Sequence, residues 1–393
     1  MNWQLLMLAN RLITLRLPTA MGRGVIAACA IAFVAACAAE PVVQPTPLSG
    51  IKAETTIKRN WKQSLGVVRR GRFAPYVNNG VVYVADNAGT VRSLDQQTGK
   101  SGWTQSLGVR LGSGVSGDAD QVYVSSIDGE VYALQASSGE ILWQTAASSE
   151  VLVPVSAGFD VVVVRSADGR IASLDAASGK ERWSTTHTPP ALTINGYSQP
   201  YLLDGGVLVG LDDGRLIALN LSTGKTIWET IVSLPSGRSE VERLVDIDAN
   251  ILTDDEAIYI VNYRGKLARI EPVKGQIQWA VPMSSTAGIA QTDTLVVVVD
   301  ELDVVHGVEK TSGRVLWSQE AMKGRRLNRP VINNDIALVG DKQGVLHGLA
   351  LDDGRLIARN TSFDGAAGNP VTSDDVVFIQ FSNGAVSALT LKQ

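Results

Sequence analysis

The side chains that most often carry chemistry are few and scattered in this chain. His187, His306 and His347 stand alone, so they read as surface or packing histidines rather than metal ligands. The two cysteines, Cys29 and Cys37, both lie near the N-terminus, which leaves the rest of the chain without a disulfide framework or a paired-cysteine metal or haem motif. Asp95, Asp128 and Asp175 fall in turn sequences, where aspartate bonds to local backbone. The triplet DDG occurs at 212–214 and again at 352–354, so it belongs to a repeat rather than to a site. No Ser–His–Asp arrangement can be placed. What recurs instead is a phrase: a Gly, commonly after Thr or Ser, with a Trp four residues on.

That phrase sets the architecture. The glycines are Gly99, Gly139, Gly179, Gly224, Gly275, Gly313 and Gly354, spaced 40, 40, 45, 51, 38 and 41 residues apart. Six are followed by Trp103, Trp143, Trp183, Trp228, Trp279 and Trp317, and the seventh by Ala358. A period near 40 is that of a four-stranded propeller blade. Each unit alternates β-branched and aromatic residues with small or polar ones, punctuated by turns such as IDGE, ADGR, DDGR and KQGV. One unit has DELD at 300–303 with no Gly, which predicts a longer or less regular hairpin. No stretch of the mature region has a convincing helical period.

The segment WKQSLG at 61–66 matches WTQSLG at 103–108, yet no unit precedes it. The C-terminal FIQFSNGAVSALTLKQ, in turn, lacks an outer strand. The expected fold is therefore all-β: an eight-bladed β-propeller of four-stranded antiparallel blades over 55–393, closed by pairing the N-terminal strand with the C-terminal blade. Closure removes the long edges that an open sheet exposes.

Net charge is −4, and setting aside the three arginines of residues 1–36 leaves −7, an acidic balance that argues against a nucleic-acid partner. Residues 21–37, MGRGVIAACAIAFVAAC, read as a secretory signal within 1–36, with Met21 a candidate true start. VAAC at 34–37 resembles a lipobox, which implies acylation of Cys37 and a membrane held through that lipid; IAAC at 26–29 leaves too short an apolar stretch after Arg23. Ala38 after that cysteine resembles lipoproteins sorted to the outer membrane. Residues 37–54, rich in Pro and small residues, read as an extended tether.

Two resemblances bear on function. The Gly–Trp phrase resembles the repeat of pyrroloquinoline-quinone-dependent dehydrogenases, but a Trp in nearly every unit fits packing between blades better than one cofactor site, so no cofactor and no enzyme is expected. Trp183 to Trp228 spans 45 residues and Trp228 to Trp279 spans 51, and the extra residues fall in consecutive inter-blade loops, THTPPALTINGYSQP and SLPSGRSEVERLVDIDA. Insertions gathered on one end of a ring mark a binding face. Together with lipobox, tether and closing strand, SEVERLVDID at 239–248 resembles the BamB family, lipoprotein subunits of the outer-membrane β-barrel assembly machinery. The resemblance implies a periplasm-facing, lipid-anchored scaffold of a Gram-negative outer membrane. Its two loops would dock on POTRA domains of the central barrel subunit, BamA, and its blade edges would meet unfolded outer-membrane protein substrates. Carried over, the contacts are Leu192, Ile194 and Asn195 in the first loop and Glu240, Arg243, Asp246 and Asp248 in the second, where the acids touch the partner or brace Arg243.

Overall fold

A computed structural model describes residues 44–68, 73–194 and 198–392. The signal sequence, Cys37 and Asn195 lie outside the described residues. The described residues form strands and turns without helix, so none forms a helix able to cross a membrane.

Eight four-stranded sheets follow one another along the chain. Blade 1 consists of Tyr76–Asn78, Val81–Ala85, Thr90–Asp95 and Ser101–Ser106, paired in that order from the inner strand outward. Blades 2 to 7 occupy 116–146, 156–186, 201–231, 252–282, 288–319 and 331–360. Blade 8 takes Val371–Ser373, Val376–Gln380 and Ala385–Lys392 from the C-terminus, and its outer strand, Thr56–Ser64, from the N-terminus. That last pair is antiparallel, with Thr56 opposite Lys392 and Ser64 opposite Ala385. Blades 8 and 1 also meet: the Gln380 side chain donates to the Ala85 carbonyl at 2.9 Å.

Burial follows position within the blade. Second strands are sandwiched between neighbouring blades, so Val161–Arg165 (VVVVR) is buried along its length. Outer strands keep one face in water and alternate, as Ile141–Ala146 (ILWQTA) does with Trp143 turned in. Beside the Trp each outer pair slips register by one residue, the bulge that aims the indole at the next blade.

The indoles make the seams. Trp143 Nε1 donates to the Ala176 carbonyl at 2.8 Å, and its ring lies on Gly179, where an added Cβ would stand 2.5 Å from the ring. Trp61, Trp103, Trp183, Trp228, Trp279 and Trp317 do the same on Gly99, Gly139, Gly224, Gly275, Gly313 and Gly354. Only a residue with no side chain and a positive φ fits under the ring. Ala358 breaks the series because the blade after it is the closing one. Its two outer strands come from opposite chain ends, so no Gly turn joins them for a Trp to cover.

The Gly-free turn at 300–304 is as regular as its neighbours, contrary to expectation. Asp300 N–H bonds to the Val304 carbonyl at 2.9 Å, the register seen at Asp341 and Val345. Asp303 takes the positive φ (65°) that Gly takes elsewhere. Its carboxylate is held by the N–H groups of Arg326 and Leu327, both at 2.7 Å, which fixes a conformation that would otherwise be strained.

Candidate docking site

Because strands alternate in direction, the turns between second and third strands and the connections between blades share one end of the ring, here the loop end. The two inserted connections, between blades 3 and 4 and between blades 4 and 5, are neighbours there. The stem of the second is buried. Leu244, Val245, Ile247 and Ala249 pack into the ring, and Ile247 N–H bonds to the Leu211 carbonyl at 3.2 Å. Tyr263 N–H bonds to the Asp246 carbonyl at 3.0 Å, and the Asn262 amide donates to the Val245 carbonyl at 3.1 Å.

A charged cluster ties the two stems together. Arg165, at the end of a blade 3 strand, donates to Asp212 Oδ1 at 2.7 Å and to the Gly210 carbonyl at 2.7 Å, in blade 4. Asp246 Oδ2 accepts the N–H of Ile194 at 2.6 Å, a bond from the second loop to the first. Ser198 Oγ donates back to the Ala249 carbonyl at 3.1 Å. Carboxylate oxygens of Asp212, Asp246 and Asp248 lie within 4.8 Å of one another, a grouping a cation could occupy, though the guanidinium of Arg165 already supplies positive charge there. Burial pushes the Asp246 carboxyl up to about 6, helped by the charge of Asp212, while the Ile194 N–H and Arg165 pull the other way.

Asp246 therefore corrects the sequence expectation of an exposed loop charge. It is 0% exposed and faces inward, because Leu244 to Ala249 must run between two blades to reach the next inner strand. Arg243 meets Glu240 instead, at 3.7 Å, in a solvent-exposed pair of little energetic weight. Asp248 is half-buried beside Asp246.

The tips are exposed and apolar. Leu192 is 41% exposed, Leu234 71% and Val241 54%, while Ile194 is half-buried. Sequence reasoning found Leu192 but missed Leu234 and Val241, whose signal is an apolar residue inside an otherwise polar insertion. It also missed what stiffens the second tip. Glu242 accepts the N–H groups of Arg238 and Ser239 at 2.6 and 3.2 Å, and Ser239 Oγ accepts the N–H of Glu242 at 3.3 Å. This is the reciprocal Ser-x-x-Glu box that starts a helical turn, legible in SEVE. Arg264 of blade 5 braces the turn from outside by donating to the Val241 carbonyl at 2.6 Å.

Comparison with known proteins agrees along the chain. A family model described as outer membrane protein assembly factor BamB matches residues 87–319 and 301–393. The outer membrane protein assembly factor BamB of Pseudomonas aeruginosa is 38% identical over 352 residues, 88% of this chain and 93% of that one. Among solved structures, BamB from Moraxella catarrhalis superposes with a TM-score of 0.79 at 26% identity, covering 85% of this chain and 99% of that one. A quinohemoprotein alcohol dehydrogenase from Comamonas testosteroni gives 0.69 at 13% identity over 85% of this chain and 76% of that one, a likeness of fold alone.

Proposed function

Because the chain belongs to the BamB family of outer membrane protein assembly factors, we propose that it acts as a docking scaffold through the two tips at the loop end of the ring. It is a non-catalytic factor of the outer-membrane assembly machinery of a Gram-negative bacterium. Its partner on this reading is the POTRA region of BamA, and acylated Cys37 holds it to the outer membrane on the periplasmic side.

The observation that carries the docking surface is the pairing of exposed apolar tips with a rigid stem. Leu192, Leu234 and Val241 face water, and the second loop, which carries two of them, rises from a buried stem, so less ordering cost remains there for a partner to meet. Apolar anchors beside rim charges, here Glu240 and Arg243, are the composition of a specific contact. Asp246 serves this surface from below, its bond to the Ile194 N–H setting the height of the first tip, with Asp248 beside it; Asn195, next in sequence after Ile194, is a further proposed contact. Unfolded substrates are a second partner class. Ile141 and Leu142 in blade 2 and Ile227 and Ile231 in blade 4 are exposed on outer strands whose free edges can pair with an extended chain.

Affinity capture of BamA from membranes, run beside thermal melting, tests the docking surface. Leu192→Asp and Arg243→Glu should each weaken capture by about 2 kcal/mol, roughly 30-fold, at unchanged melting temperature. Full capture by both variants refutes the surface.

A further inference from the structure

A serine, a histidine and an acid that stand apart in the sequence come together on blade 6. His306 lies on the third strand, Val305–Glu309, and Ser318 lies opposite it on the outer strand, Val315–Gln319. Ser318 Oγ stands 2.8 Å from His306 Nδ1, and His306 Nε2 stands 3.0 Å from Asp300 Oδ2. Asp300 begins the turn before the third strand, where its Oδ1 accepts the N–H groups of Leu302 and Val304 at 2.9 and 2.8 Å. Burial works to raise the Asp300 carboxyl, but the bonds from His306 and from the turn hold it below the ordinary carboxylate value. An ionised carboxylate only accepts, so the His306 proton sits on Nε2, and Nδ1 presents a lone pair to the serine hydroxyl. Ser318 is exposed, while His306 and Asp300 are half-buried.

The ladder supplies a further donor. Along an antiparallel pair, opposite residues alternate between exchanging backbone bonds and lying closer without them. Glu309 faces the outer strand in its bonds with Arg314 and Gly313, whereas Val304 and Lys310 face the other way, toward Asp300 and Thr294. His306 shares their phase, so it exchanges no backbone bond with Ser318. That brings the two side chains together and leaves the Ser318 N–H on the open edge of the blade.

The equivalent positions elsewhere carry only parts of this set. In blade 3 the serine is present without the histidine: Ser184 faces Ala172 and donates to Glu181 at 2.8 Å. In blade 7 the histidine and acid are present without the serine: Arg359 faces His347, which lies 3.5 Å from Asp341.

We propose that Ser318 is an activated nucleophile that accepts the acyl group of a reactive ester. A hydroxyl is a weak nucleophile until a base within hydrogen-bond reach, itself oriented by a third group, takes its proton. As Ser318 Oγ bonds to the carbonyl carbon, its proton passes to His306 Nδ1, and Asp300 holds the imidazolium that forms. The Ser318 N–H, beside the new bond, donates to the oxygen that becomes anionic. The ester C–O bond then breaks and the leaving oxygen takes the proton from Nδ1, so an alcohol departs and an acyl-serine remains. Each chain takes one group, at Ser318.

A fluorophosphonate tests this on the purified full chain, its phosphorus standing in for the carbonyl carbon and fluoride for the leaving group. The adduct is stable, so peptide mass spectrometry over time gives the rate at each serine. Ser318 should be labelled at least about 100-fold faster than Ser184, the low end of what a positioned base contributes. His306→Gln should bring Ser318 down to the rate of Ser184. Asp300→Asn keeps the oxygen that the turn needs but donates to Nε2, which moves the histidine proton to Nδ1. Labelling should then fall by about tenfold or more at an unchanged melting temperature. Labelling of Ser318 no faster than that of Ser184 in the unaltered chain overturns the proposal without any variant. Labelling that survives His306→Gln overturns the role of the base, and labelling untouched by Asp300→Asn overturns that of the fixed tautomer.

Discussion

At the seam between blades 3 and 4, Trp183 lies on Gly224 and its indole N–H donates to the Leu221 carbonyl at 2.7 Å. The connection that follows the same outer strand is held by a carboxylate and a guanidinium, Asp246 on Ile194 and Arg165 on Asp212. The seam is neutral, apolar and repeated at seven joints; the loop stem is charged and buried. Repetition suits the seam, since a flat ring over a bare glycine fits the same way at every joint. The stem has to fix two unequal loops against each other, and directional bonds to a buried charge set position where apolar contact alone would allow sliding. The gap in the repeat fits the same logic. Ala358 sits in an apolar cluster with Ile57, where the closing strand takes the space an indole fills elsewhere.

Breaking a seam should have the largest effect. Trp143→Ala empties a buried indole site and strands the Ala176 carbonyl, so stability should fall by about 3–5 kcal/mol in denaturant melts, with partner capture per folded molecule unchanged. Ala358→Trp tests the exception: overpacking against the closing strand should cost about 1–3 kcal/mol, and a gain in stability would mean that the seam wants a Trp after all. On the loop side, Ser239→Ala removes one half of the helical-turn box and should cost about 1 kcal/mol locally. That loss should appear in BamA capture as roughly fivefold weaker binding and leave the melting temperature alone. A pH dependence is expected at Asp246. Its folded pKa near 6 lies above the unfolded value of about 3.9, so between those values the native state holds more protons than the unfolded one. Stability from this group therefore falls as pH rises through that window. Asp246→Asn should flatten the dependence, and melting curves of the two proteins that run parallel from pH 4 to 7 would show that the carboxylate is not buried in this way.

The blades were legible because their signals are local. A glycine turn, a Trp four residues on and alternating β-branched residues each act within one hairpin, and the orphan Trp61 strand pointed to its distant partner by being surplus. The turn at 300–304 was misjudged because its positive φ belongs to Asp303, whose tolerance comes from two N–H groups more than twenty residues away. The two long loops were legible as insertions, and Leu192 as an apolar residue within one. The inward turn of Asp246 was not, since a carboxylate in a polar loop has no local mark of burial and its partners, Ile194 and Asp212, come from other blades. Nor was the docking of residues 45–54 on blade 7. Their composition is that of a flexible linker, and their hold depends on Arg325 and Arg359, which donate to the Thr46 and Ser49 carbonyls from about three hundred residues away.

By itself, then, the sequence determined an all-β ring, its count of units, the residues at each seam and the two places where the period stretches. These follow from short-range periodicity and turn chemistry, which the chain carries at every repeat. Only the tertiary structure decided which loop charges face water and which are spent inside, that Ala358 faces a strand instead of a turn, and where the N-terminal segment lies. Each of those depends on groups distant in sequence that folding brings within hydrogen-bond reach, and burial then makes a bond at that distance strong enough to hold.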